Sequence, residues 1–324
     1  MGKALLSIDG GGIRGIIPLC ALIELEKQTQ KAAREVFSFM AGTSTGAIIL
    51  AGLAVGMSAE EILKLYQGLG PKVFRRDWLG WLFSLGSFRY RTEPLAEAIQ
   101  QVTGEVSLNE LPVEILIPAI RVVDGRAWYF VRDNPSNAST TGKLKLVDCV
   151  TASAAAPTYF EPWDVPTVGP SVDGGVGIAG NPSYKACVEA FYFTPSGSYI
   201  PSETVVVSLG TGRYDGRIKP ANLVDWANWT IGSLLRAPAE QQTELVQRHF
   251  ADAATYRIDT KLPRDIGLDA IKAIPELIEI GQKFAAEIDW MGILASQDTH
   301  WRVEGRSSAA RPSIGKSFAE RTAA

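Results

Sequence analysis

The 324-residue sequence predicts a three-layer α/β fold: a mainly parallel central sheet covered by helices on both faces, with a helical C-terminal part. Three observations carry that expectation. Short apolar runs at 4–8, 36–41, 115–123 and 204–209 have strand length and stop at glycine or at a turn residue. Helical patterns lie between them. The first two runs feed glycine-framed turns, 9–15 and 42–46, that open the next helices.

The elements follow in order. Residues 4–8 form a buried strand, and 16–30 a helix with Leu19, Leu22, Ile23 and Leu25 on a partly apolar face. A second strand, 36–41, leads into the turn around Ser44. Residues 47–55 are apolar all round, which suits a buried helix. Ser58-Ala59-Glu60-Glu61 is a capping box opening a helix through Tyr66. Residues 92–102 are helical. The runs 115–123 and 127–131 flank Asp124-Gly125, a hairpin signal. Residues 146–155 are helical, 204–209 are a strand ending in Gly-Thr-Gly, and 223–250 and 274–290 are mostly helical. No clean linker or internal repeat divides the chain. The expected organisation is a domain over 1–215, a helical part over 216–303 packed on it, and a fraying tail over 304–324.

Composition narrows the function. Hydrophobic residues make up 46% and charged residues 21%, as in a folded soluble protein, and a net charge of −3 gives no nucleic-acid footprint. Cys20, Cys149 and Cys187 lie far apart without metal-ligand spacing and read as buried free thiols in a reducing compartment. The N-terminus lacks a signal-peptide pattern, and the longest apolar run, 47–55, is too short to span a bilayer. The expected location is cytoplasmic, with at most peripheral contact with a membrane.

The chemistry concentrates in three turns. Gly42-Thr43-Ser44-Thr45-Gly46 matches the G-x-S-x-G nucleophile elbow, which presents a serine on a sharp strand-to-helix turn. Asp9-Gly10-Gly11-Gly12-Ile13-Arg14-Gly15 offers backbone N–H groups at a helix start. Its glycines also fit the dinucleotide fingerprint. That reading needs an acid at the end of the second strand, and the nearest one, Glu35, precedes it. The third turn is Val172-Asp173-Gly174-Gly175. The chain has two histidines, His249 and His300, and neither stands in a catalytic context. From spacing alone, Asp173 is an ordinary Asp-Gly turn residue. Asp9 reads as structural, capping donors of its own loop.

In these three motifs, and in Thr151-Ala152-Ser153-Ala154-Ala155-Ala156-Pro157, Gly180-Asn181-Pro182 and Ser208-Leu209-Gly210-Thr211-Gly212, the chain resembles the patatin-like phospholipases. The likeness covers the first two thirds well and the remainder thinly. It implies a patatin-like fold and hydrolysis of lipid carboxylic esters by a Ser-Asp dyad, Ser44 as nucleophile and Asp173 as base. It implies an oxyanion hole from Gly11 and Gly12, with Thr45 assisting and Arg14 near it, either biasing it toward anions or pairing with an acid at the surface. Gly10, Gly15, Gly42, Gly46, Gly174 and Gly175 are then the motif glycines. No cofactor or metal is implied. A soluble-ester hydrolase of the same fold is one alternative; an effector switched on by a signalling molecule, as in bacterial relatives gated by cyclic nucleotides in phage defence, is another.

Residues 72–91 are the other unusual stretch. Five cations (Lys72, Arg75, Arg76, Arg89, Arg91) face one acid, Asp77, and Trp78, Trp81, Phe83 and Phe88 lie between them. The pattern suits an interfacial anchor on an anionic bilayer and equally a hydrophobic flap over the core. Trp226 and Trp229 extend either surface.

Overall fold

The computed structural model describes residues 3–73, 88–195, 198–216 and 222–296. Trp78, Trp81, Phe83, His300 and the tail 304–324 lie outside them.

The described strands form one eight-stranded sheet. β1 (Lys3–Ile8) sits inside it, between β2 (Phe37–Gly42) and a strand from much later in the chain, β7 (Thr204–Leu209). Beyond β2 lies β3 (Glu114–Arg121), and beyond β7 lies β8 (Ala254–Ile258). β1, β2, β3, β7 and β8 run parallel to their neighbours among these five. β4 (Ala127–Val131) and β6 (Gly169–Asp173) both pair antiparallel with β3, and β5 (Trp163–Val165) with β6. The mainly parallel sheet expected from the sequence is what forms.

Strand alternation sends side chains to two cores. Leu6, Ile8, Phe37, Met40, Val205 and Val207 pack on one face, against α1 (Ile16–Thr29), α3 (Thr45–Val55) and α9 (Ile274–Ala285). Leu5, Phe39, Leu116 and Val206 pack on the other, against α7 (Ser183–Val188) and the end of α8 (Leu223–His249). Three further helices matter for the site: α4 (Ala59–Val73), α5 (Glu93–Thr103) and α6 (Leu146–Ala154). The short α2 (Ala33–Val36) precedes β2, and α10 (Trp290–Leu294) follows α9.

The capping box forms as read: Glu61 Oε2 accepts from Ser58 N–H at 2.8 Å, and Ser58 Oγ accepts from Glu61 N–H at 3.3 Å. α4 then runs on to Val73, past the expected end at Tyr66. The largely helical C-terminal part is not helices alone, since it also supplies β8 to the sheet edge. Cys20, Cys149 and Cys187 are buried free thiols. Among the described residues no helix is long and apolar enough to cross a membrane.

Candidate active site

Three turns meet at the C-terminal edge of the parallel strands. β2 ends at Gly42, pairing with Ile8 of β1, so the Ser44 turn and the glycine turn leave the sheet side by side. β6 runs down toward that edge against β3, and Asp173 at its end pairs with Ala119. Asp173 N–H donates to Ala155 O at 3.0 Å, which fixes the end of the strand against the segment after α6. Ser44 and Asp173, 129 residues apart in the sequence, thus come together.

Ser44 has φ 55 and ψ −119, a conformation that L-residues avoid and that stores of order 1–3 kcal/mol. Packing enforces it. A Cβ on Gly42 would fall 2.4 Å from the carbonyl of Gly46, and a Cβ on Gly46 would fall 2.3 Å from Ile8 O. The elbow therefore needs glycine on both sides of the serine. Ser44 N–H donates to Ser153 Oγ at 3.1 Å, and Thr43 Oγ1 donates to Ala179 O. Ser153 belongs to a motif noticed in the sequence, but only the folded chain reveals that it holds the elbow.

Asp173 is 2% exposed. Its Oδ1 accepts from Gly175 N–H at 2.8 Å; its Oδ2 is buried without a hydrogen bond of full geometry. Burial pushes the carboxyl up to about 6, while the nearby Ser44 hydroxyl and the Gly175 N–H favour the anion and pull the other way. The Ser44 contact is thus an approach rather than a formed hydrogen bond.

The glycine turn is held at many points. Gly10 N–H donates to Gly180 O at 2.9 Å, and Ile13 N–H to Leu268 O at 2.8 Å. Thr211 Oγ1 donates to Gly10 O at 2.9 Å. Gly12 has φ 57, where a side chain would be strained and would strike Leu268 O. The N–H groups of Gly11, Gly12 and Thr45 have no acceptor among the described residues. Arg14 is buried, not a surface cation, and its Nε donates to Gly11 O at 3.3 Å. Asp9 differs from the sequence expectation. It does not cap its loop: both its oxygens are taken by Arg257, at 2.9 and 2.6 Å. Burial still pushes Asp9 up to about 6, against the pull of that guanidinium.

An apolar cavity of about 120 Å³ opens beside Ser44, Thr45, Gly12 and Ile13. It runs between α3, α4 and α5, past Ile48, Ala51, Gly52, Ile62 and Ala98, as far as Val102 and Thr103. Ser44 to Gly52 covers about 12 Å of helix rise, so the apolar lining extends well beyond the serine. At its mouth Tyr66 and Thr45 share a short hydroxyl contact, and Tyr66 hydroxyl also donates to Thr45 O at 3.2 Å. Sequence reading missed Tyr66, Ser153 and Arg257. His249 hydrogen-bonds Tyr184 through Nδ1 at 2.8 Å, away from all three turns.

The family profile described as patatin-like phospholipase matches residues 6–183. A cGAMP-activated phospholipase of Vibrio cholerae is 29% identical over 87% of this chain and 90% of that protein. A cGAMP-activated phospholipase of Escherichia coli is 30% identical over 69% of this chain and 66% of that protein. Patatin-15 of Solanum tuberosum is 30% identical over 69% and 64% respectively. In fold, VipD from Legionella pneumophila superposes with a TM-score of 0.52 at 14% identity, covering 91% of this chain and 67% of that one. With three glycine turns gathered on one sheet edge and a family match spanning more than half its length, the chain belongs to the patatin-like phospholipases.

Proposed function

We propose that this protein is a lipid acyl hydrolase of the phospholipase A type, with Ser44 as nucleophile and Asp173 as its base. One observation carries the reading: an apolar cavity opens at a serine held in a strained elbow beside a buried, unsatisfied carboxylate oxygen. An acyl chain in the cavity brings its ester carbonyl to the hydroxyl. Ser44 Oγ attacks the carbonyl carbon and its proton passes to Asp173. The charge that develops on the carbonyl oxygen meets the N–H groups of Gly11, Gly12 and Thr45. Collapse expels the alcohol, which takes the proton from Asp173. Water, deprotonated by the same carboxylate, attacks the acyl-enzyme, and its breakdown frees Ser44 and the fatty acid. Arg14 adds a fixed positive charge behind the hole and holds the Gly11 carbonyl away from it. The incomplete Ser44–Asp173 contact suits a base whose hydrogen bond tightens only with substrate bound.

A fluorophosphonate tests the assignment. Mass spectrometry should find one adduct, on Ser44; an adduct elsewhere, or none on protein that still cleaves lipid, ends it. Product analysis on mixed phospholipid vesicles then gives head-group and chain-position preference.

The two cGAMP-activated relatives favour a second reading, that a signalling nucleotide raises a low basal activity. Comparing hydrolysis with and without cGAMP separates a gated enzyme from a constitutive one. Bilayer contact through residues 72–91, from the cytoplasmic side, completes the reading. Trp78→Ala with Trp81→Ala should lower vesicle hydrolysis and spare a soluble short-chain ester; an equal fall on both would make the segment a flap.

A further inference from the structure

Arg257 lies outside the matched family region, 248 residues from the turn it touches. It sits on β8 opposite Ser208 of β7. Its Nη1 donates to Asp9 Oδ1 and to Ser208 Oγ, both at 2.9 Å, and its Nη2 donates to Asp9 Oδ2 at 2.6 Å and lies 3.4 Å from Asp259 Oδ2. Asp259 Oδ1 accepts from Gly212 N–H and from Thr260 N–H, each at 2.9 Å. One guanidinium therefore ties together the ends of β1, β7 and β8 directly beneath the glycine turn. The far end of the turn is gripped by the same part of the chain. Leu268 O accepts from Ile13 N–H, and the next residue, Asp269, is fixed by Arg89 at 2.9 Å and by Tyr90 hydroxyl at 2.7 Å.

This arrangement is not explained by stability alone. A buried ion pair gains little over well-packed apolar side chains, because desolvation offsets most of the attraction. What a bidentate pair does supply is direction, since the planar fork matches a carboxylate in one geometry only. Direction is what the two glycines at the centre of the turn need beyond the anchors at Gly10 and Ile13. Glycines have the widest backbone freedom, and N–H donors stabilise a developing oxyanion only when held in place beforehand.

We infer that Arg257 is a positioning residue for the oxyanion turn: through Asp9 it sets the direction in which the Gly11 and Gly12 N–H groups point. The inference rests on the proposed role of that turn. Arg257→Lys keeps the charge and loses the fork; Asp9→Asn keeps the volume and removes the charge. Each variant should stay folded by circular dichroism. On a soluble short-chain ester, kcat should fall about 10- to 100-fold, less than or equal to the loss of one oxyanion donor. KM should stay within about threefold, as expected for an interaction made in the transition state. Phosphonylation of Ser44 should slow in parallel, while binding of a fluorescent fatty acid in the cavity should not change. Hydrogen exchange of the peptide over residues 9–15 needs no substrate and should quicken about tenfold or more, with the α3 peptides unaffected. Folded variants with parental kcat and parental exchange overturn the inference, as does a loss that falls on KM alone. Quickened exchange in a protein whose parent is never labelled at Ser44 would keep the clamp and remove the proposed chemistry. If Arg257→Lys fails to fold, Asp9→Asn carries the test.

Discussion

Replacing Asp173 by asparagine separates chemistry from stability, because the two should move in opposite directions. The side chain is 2% exposed, and burial raises its carboxyl from an ordinary 3.8 to about 6. Between those values the folded protein holds a proton that the unfolded chain has released. Stability contributed by this group therefore falls as pH rises from about 4 to about 6, and stays low above that. That rise corresponds to about 3 kcal/mol of cost for keeping the anion buried at neutral pH. Asparagine has nearly the same shape and no charge to desolvate. At pH 8 the variant should be more stable than the parent by about 1–3 kcal/mol, the lower figure allowing for an amide N–H₂ that finds no full set of acceptors. At pH 4, where the parent carboxyl is protonated, that advantage should vanish. Turnover should drop about 10²- to 10⁴-fold, the usual loss on removing a general base. The parent's kcat/KM should rise with pH through about 6 as the carboxylate forms. Urea melts at the two pH values and initial rates on a soluble ester are sufficient. A folded Asp173→Asn protein with parental kcat would refute the base assignment. A variant less stable at pH 8 than at pH 4, relative to the parent, would refute the desolvation argument.

Three further outcomes are expected. Ser44→Gly should abolish turnover and stabilise the fold by up to about 1–3 kcal/mol, because glycine accepts φ 55 without strain; an unchanged melting temperature would argue against strain at the elbow. Ala98→Phe adds bulk to the wall of the cavity, so long-chain esters should lose about tenfold or more relative to short-chain esters, and an equal effect on both would place the acyl chain elsewhere. His249→Ala should leave kcat within about twofold, since its ring contacts Tyr184 and not the turns; an inactive, folded variant would call for a histidine base.

Much of the candidate site is legible in the sequence because tight turns leave a signature in residue type. Gly42, Ser44 and Gly46 announce an elbow because only glycine fits where backbone meets backbone. The buried helix after them was equally plain, apolar on every side. Other features left no such mark. β6 leaves no strand pattern in the sequence, since Pro166, Gly169 and Pro170 break up a short run that does not alternate. β8 was hidden between two helical stretches, and with it the role of Arg257, which depends on strand order rather than on any local pattern. For the same reason the local sequence suggests that Asp9 caps its own loop, while its partner lies 248 residues away. The cavity was invisible because empty space is what small side chains such as Ala51, Gly52 and Ala98 leave between three helices, and spacing along the chain does not record it.

The strand order also dictates when the site comes into being. β1 and β2 adjoin and are linked through α1, so the elbow and the glycine turn arise from contacts close in sequence and can form early. Asp173 arrives only when β6 docks on β3, and the glycine turn gains its last supports only when β7 and β8 close the other flank. A chain still emerging from the ribosome with 160 or so residues exposed would hold Ser44 in an incipient elbow and no carboxylate beside it. On the proposed reading, the dyad is thus withheld until nearly the whole sheet is built, and a nascent or truncated chain carries Ser44 without the carboxylate proposed as its base.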